Sequence, residues 1–270
     1  MDTTIKQYVQ THTPHVVFLT PCYGSQCYTQ YMTRLIQTLQ LCHSHGIKTT
    51  TEFCNNDSLI PRARNNLVAK AMETEGMTHI MFIDADIAWN PEDVLKLLVS
   101  NLFVVGGIYP KKRLRFDYIK GPETLESWQT KKTHQFCHSS IPTDTLVQNC
   151  LLDYNINPLT NDGKLNVQEN RIEVDTLATG FMMVRRDVIE CMQKAFPSTE
   201  HTEDVGFFDE TKKVFALFDC AVEDGSYLSE DWLFCRRWRN MGGKVHADIT
   251  IHLTHIGVHL FEGSYLHSIL

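Results

Sequence analysis

THIMFIDADI, residues 78–87, decides how the rest of this chain is read. Thr78 to Ile83 is a short apolar run with no polar face, the pattern of a strand covered on both sides. Two acids follow at once, Asp84 and Asp86. Side chains alternate along a strand, so positions 84 and 86 are expected to leave on the same side. They fall where a parallel strand ends, the usual ligand edge of an α/β sheet. Two carboxylates there repel each other unless positive charge lies between them. A hard divalent cation with oxygen ligands, Mn²⁺ or Mg²⁺, fits that need. The competing reading is a pair of solvated turn acids leading into the next helix.

Outward from that strand, strands and helices alternate. His15–Leu19 is an apolar run that stops at Thr20–Pro21 and predicts a buried strand. Tyr28, Tyr31, Met32, Leu35, Ile36, Leu39 and Cys42 recur at three- and four-residue spacing, an amphipathic helix stopped by Gly46. Residues 48–53 alternate and carry β-branched threonines, a second strand. Asp57 or Ser58 can cap a helix over about 60–75. Asn90-Pro91-Glu92-Asp93 is a helix start: a capping side chain, proline in the first turn, then two acids facing the dipole. Residues 102–105 form a further strand, ending in Gly106–Gly107.

This alternation predicts parallel strands with crossover helices. The pattern fades over 111–171, which reads as an inserted lobe or long loops. It returns with strands at 172–177 and 180–185, a short helix from Asp187, a helix over 230–240 and a last strand over 245–253. The expected fold class is α/β. One domain would span 1–270, with a Rossmann-like mixed sheet and helices on both faces. Its parts are a nucleotide-binding half (1–110), an inserted segment (111–171) and a second half (172–270).

A chain of 270 residues can hold one large core. Its 43% hydrophobic and 21% charged residues exclude disordered, collagen-like and coiled-coil classes. A net charge of −7 argues against a nucleic-acid binder, which needs a cationic face. An anionic substrate would then need local arginine or a metal ion. The nine cysteines are odd in number and include no C-x-x-C pair, which argues against a disulfide framework and a zinc ribbon. Reduced thiols in a cytoplasmic protein are expected. The N-terminal MDTTIKQYVQTHTP lacks the apolar stretch of a signal peptide. Residues 97–109 are the longest apolar stretch, and they are too short to cross a bilayer, so no transmembrane segment is expected.

Three further clusters carry chemistry. Pro61-Arg62-Ala63-Arg64-Asn65-Asn66 opens a helix, where free N–H groups and forked arginine donors suit phosphate. A solvated basic turn paired with nearby acids is the alternative. Ser229-Glu230-Asp231-Trp232 opens another helix. Its adjacent carboxylates either balance the dipole or supply a general base. His246, His252, His255 and His259 crowd the C-terminal region. His255, at the end of the last strand, is the best metal-ligand candidate of the four. The others read as structural, and a separate zinc site is the remaining alternative.

Together these features resemble a GT-A glycosyltransferase. The resemblance is carried by VVFLTPCYG (16–24), PRARNNLV (61–68), HIMFIDADI (79–87), VVGGIYPKK (104–112), TGFMMVRR (179–186), SEDWLFCRR (229–237) and THIGVH (254–259). It is nearest to the small enzymes of algal and other giant DNA viruses, which would place the chain in a host cytoplasm. More distantly it resembles fungal mannan-polymerase subunits. The resemblance implies a GT-A type fold and a nucleotide-sugar donor, UDP first. It also implies transfer to a glycan hydroxyl with Mn²⁺ or Mg²⁺ as cofactor, and no nucleic-acid partner. It assigns Thr20, Pro21 and Tyr23 to the nucleoside, and Arg62, Arg64 and Asn65 to the nucleotide. Asp84 falls to ribose or donor sugar and the metal's vicinity, Asp86 and His255 to the metal. Asp231, with Glu230 beside it, falls to the base of an inverting reaction. Gly106 and Gly107 would let backbone approach the donor, and Gly180 the acceptor wall. The rival readings are a sugar nucleotidyltransferase and a non-catalytic subunit of a glycosylation complex. The turn TPCYGSQCY has one glycine and no Lys or Arg, which counts against the first.

Overall fold

The computed structural model describes residues 2–115, 148 and 151–258. Most of the 111–171 segment, and His259, lie outside the described residues. The helices are α1 (Asp2–His12), α2 (Thr29–Ser44), α3 (Ile60–Met72), α4 (Pro91–Val99), α5 (Arg186–Ala195) and α6 (Glu230–Asn240). The first strands are β1 (His15–Cys22), β2 (Lys48–Asn55), β3 (His79–Ile83), β4 (Ile87–Ala88), β5 (Val104–Gly107) and β6 (Pro110–Leu114). Short strands follow: β7 (Leu152–Tyr154), β8 (Ile156–Pro158), β9 (Thr160–Asn161), β10 (Lys164–Leu165) and β11 (Val167–Gln168). Then come β12 (Arg171–Leu177) and β13 (Phe181–Arg185). Two hairpins pair β14 (Glu200–Glu203) with β15 (Lys212–Phe215) and β16 (Ala221–Glu223) with β17 (Ser226–Leu228). The last strands are β18 (Val245–Asp248) and β19 (Thr254–His255).

One mixed sheet organises the molecule, in the order β11-β12-β18-β5-β13-β3-β1-β2, with β8 also on β12. β1 runs parallel to β2 and β3, as the alternating pattern requires. β5 does not sit beside β3. The antiparallel β13 lies between them and pairs with both. β18 runs parallel to β5.

Adjacent strand residues feed two cores. Val17, Leu19, Ile80, Phe82, Met182 and Val184 pack with α3, α5 and α6. Val16, Phe18, Met81, Ile83, Phe181 and Met183 pack with α1, α2 and α4. Helices therefore cover both faces, and β3 is buried along its whole length. Each such Leu, Ile, Val or Phe contributes roughly 1.5–3 kcal/mol on burial.

Two further features, one at each end of the described chain, depart from the sequence reading. The N-terminal stretch is a helix, with Ile5 and Tyr8 buried against the α4 side of the sheet. The last strand ends at Asp248, short of 253. The Asp248 carboxylate accepts from the Thr250 N–H at 2.9 Å and its hydroxyl at 2.6 Å, which turns the chain. Residues 251–253 then cross over Gly107, and β19 pairs with β4 beside the DAD turn.

Candidate active site

β3 ends at Ile83, and a turn closed by Ile87 N–H to Asp84 O (3.0 Å) carries both acids. Strand alternation therefore does not reach them. They line one cleft but serve two clusters. Asp86 meets Lys112, whose Nζ lies 2.5 Å from Oδ2, and His255, whose Nε2 lies 3.6 Å from the same oxygen. Burial alone would raise the Asp86 pKa, but His255 and Lys112 hold it below the usual carboxylate range.

Three local causes bring His255 there. The β19–β4 pairing sets it opposite Ile87. Ile256 N–H donates to Asp86 O at 2.8 Å. His255 Nδ1 lies 2.8 Å from Pro110 O, a carbonyl that can only accept, so Nδ1 carries the proton. That leaves Nε2 facing Asp86, where it donates to the carboxylate when protonated and, only once that proton is lost, is the nitrogen a metal could take. Two ligands of one ion at about 2.1 Å bonds stand roughly 3–3.5 Å apart, close to what is found here. Asp86 and His255 are two donors of the types a divalent cation takes, and the Lys112 ammonium already holds the same Asp86 oxygen. Among the described residues no cluster of three or more His, Cys, Asp or Glu completes such a site.

The second cluster centres on Arg64. It is 4% exposed, in the first turns of α3. Its Nη2 lies 3.0 Å from Asp84 Oδ1 and its Nε donates to Glu230 Oε1 at 3.2 Å. Its guanidinium stands 5.5 Å from the Phe82 ring centre, and Nη1 is buried without a partner among the described residues. Burial would depress its pKa, but Asp84 and Glu230 outweigh burial and hold it firmly charged. Next to Glu230, the Asp231 carboxylate is buried at the start of α6. Its Oδ1 accepts from the Ser229 hydroxyl and from Trp232 N–H. Burial and the Glu230 charge raise its pKa. Tyr109 joins the two clusters. Its ring stands edge-on to His255 at 5.1 Å, and its hydroxyl packs on Gly180.

Beside Asp84 and Asp86 a cleft of about 450 Å³ is walled by Pro21, Tyr23, Tyr28 and Ile60. Tyr28 N–H donates to Ala85 O at 3.0 Å, which ties that wall to the acid turn.

No protein-family model matches this chain. No curated protein matches it in sequence. Among solved structures it is similar to A197 from STIV at 12% identity and a TM-score of 0.48, covering 90% of this chain and 86% of that one.

Several expected site residues are spent elsewhere. The Thr20 hydroxyl is buried against the Tyr31 hydroxyl at 2.5 Å. Arg62 forms a two-pronged pair with Asp57, at 2.9 and 2.8 Å. Asn65 clamps the backbone of Phe218, donating to its carbonyl at 2.6 Å and accepting from its N–H at 2.9 Å. The three glycines make room for protein. A Cβ on Gly106 would meet Phe181 O at 2.2 Å, one on Gly107 Ile251 at 2.8 Å, and one on Gly180 Tyr109 at 2.7 Å. His246 lies on β18, paired opposite Glu173, and His252 is exposed, so among the described residues His255 alone of the four meets Asp86. Lys112 and Tyr109 escaped the sequence reading. Their signal was in the GGIYPKK run, which carries the only lysines so close after a strand-ending glycine pair.

Proposed function

We propose that this chain is a metal-dependent glycosyltransferase of the GT-A type. It would move a sugar from a nucleoside-diphosphate donor, UDP first, to a hydroxyl of a glycan acceptor. One observation carries the reading. His255, locked by Pro110 O, turns Nε2 toward Asp86 at the mouth of a cleft, while a buried acid of raised pKa stands at the neighbouring helix start.

In this reading Asp86 and His255 hold Mn²⁺ or Mg²⁺. Such a cation supplies counter-charge to the diphosphate as the bond to the sugar breaks. On a chain of net charge −7 that local charge matters, because the general field opposes an anionic donor. Pro21 and Tyr23 shape the nucleoside wall. Asp84, braced by Arg64, faces ribose or the donor sugar. Asp231 takes the proton of the acceptor hydroxyl. That oxygen bonds to the anomeric carbon, the old carbon–oxygen bond breaks, and its electron pair leaves on the β-phosphate with inversion.

Incubation with Mn²⁺ and a panel of nucleotide sugars tests the reading through slow donor hydrolysis. Asp231→Asn should cut turnover by about 10²–10⁴-fold while UDP still binds. Asp86→Ala should remove the Mn²⁺ dependence of UDP binding. Wild-type turnover in Asp231→Asn, or UDP affinity indifferent to Mn²⁺ in the parent chain, would sink it.

A further inference from the structure

A second and larger cavity, of about 750 Å³, is lined by Lys112 and His255, the two side chains that meet Asp86. That volume lies within the range of roughly 300–1,000 Å³ usual for small-molecule sites. Its floor is aliphatic, built by Ile108, Ile172 and Ile251. Leu165 and Ile249, at its edge, are 49% and 42% exposed, so the apolar surface continues to the mouth.

The charge of its lining is one-sided. Lys111, Lys112, Arg113, His252 and His255 line it, and no Asp or Glu does among the described residues. The whole chain carries 32 acids against 25 Lys and Arg, so a lining whose described residues hold five basic or imidazole side chains and no acid is not what its composition would deliver by default. Lys112 is paired with Asp86, but Lys111 and Arg113 form no ion pair among the described residues. Both are exposed on β6.

An apolar trough whose rim carries Lys111 and Arg113, without ion pairs among the described residues, is complementary to an anion that carries a long hydrocarbon chain. A nucleotide or a free glycan would waste the aliphatic floor, and a neutral lipid would waste the rim. We propose that this cavity binds a lipid phosphate, chain on the Ile108–Ile251 floor and headgroup at Lys111 and Arg113. That it presents the acceptor as a lipid-carried sugar rests on the glycosyl-transfer reading. The binding itself does not.

Isothermal titration of the full chain with farnesyl phosphate, farnesol and inorganic phosphate tests this, below the micelle threshold, in EDTA and without nucleotide. Farnesyl phosphate should bind saturably, with farnesol and inorganic phosphate each at least tenfold weaker. Lys111→Gln with Arg113→Gln should cost farnesyl phosphate about tenfold and leave farnesol unchanged. Ile249→Asp should weaken both lipids. These three positions are exposed, and thermal melts check that the variants stay folded. Equal affinity for farnesol and its phosphate would overturn the proposal. So would absence of saturable binding, or variants that bind like the parent. A dimer that Ile249→Asp splits would mark the patch as a contact between copies instead. Because no metal, nucleotide or turnover enters the measurement, its failure leaves the Asp86 and Asp231 tests standing, and theirs leaves it untouched.

Discussion

Arg64 shows how far one residue can depart from its local reading. Two arginines in a helix's first turns suggest a phosphate clamp, yet Arg64 faces inward and ties Asp84 on one half of the chain to Glu230 on the other. Removing one member of a buried charge group leaves the others uncompensated, at a cost of about 3–5 kcal/mol. Arg64→Met should therefore lower stability by that amount in denaturant unfolding, and adding Asp84→Asn and Glu230→Gln should restore part of it. A loss below about 1 kcal/mol would mean that water already reaches the acids. His79 makes a prediction of a different kind. It is buried at the start of β3, its Nδ1 sits 2.8 Å from the Thr78 hydroxyl and its Nε2 has no partner among the described residues. Burial, helped by the Arg185 charge, lowers its pKa from 6.5 to about 4. The unfolded chain takes up this proton first. The stability that His79 contributes is therefore complete above pH 6.5 and is lost as pH falls toward 4, about 3 kcal/mol in all. His79→Gln should flatten the stability curve between those values. An unchanged slope would place the titration elsewhere.

At the scale of elements, the crossing of residues 251–253 over β5 sets the site. Gly107 permits it, since a Cβ there would meet Ile251 at 2.8 Å, Leu253 at 2.9 Å and Phe181 at 3.1 Å. Gly107→Ala should cost about 1–3 kcal/mol through overpacking. It should also push β19 off β4 and, on the metal reading proposed above, weaken any Mn²⁺ binding that titration of the parent chain detects. Unimpaired Mn²⁺ binding would mean that His255 is held by the Pro110 and Asp86 backbone contacts alone. Elements set by local pattern are legible in the sequence. The spacing of Tyr31, Leu35 and Cys42, the Asn90–Pro91 start and the apolar β3 all reappear in place. α1 escaped because its apolar residues are few among polar ones, although Ile5, Tyr8 and Val9 keep helical spacing. The hairpins over 200–215 and 221–228 are short and partly exposed, so they leave no clear period.

For the whole molecule, the legible part of the candidate site is its inventory of residues and the hidden part is its connectivity. Asp84, Asp86, Glu230, Asp231 and His255 stand out by type and position. What they touch depends on pairings between distant segments, such as β19 on β4 or Asn65 on Phe218, which no local period encodes. No helix among the described residues is long and apolar enough to cross a membrane. The mixed sheet has one more consequence. β13 is the central plank between β3 and β5, and it is made late. Until residues 181–185 leave the ribosome, β3 has a bare edge of unpaired N–H and C=O groups between apolar side chains, and β5 has no neighbour at all. The nascent first half, for all its regular alternation, is a sheet with a missing middle. It should depend on a chaperone, or stick to its own copies, until the later strand arrives to close the gap.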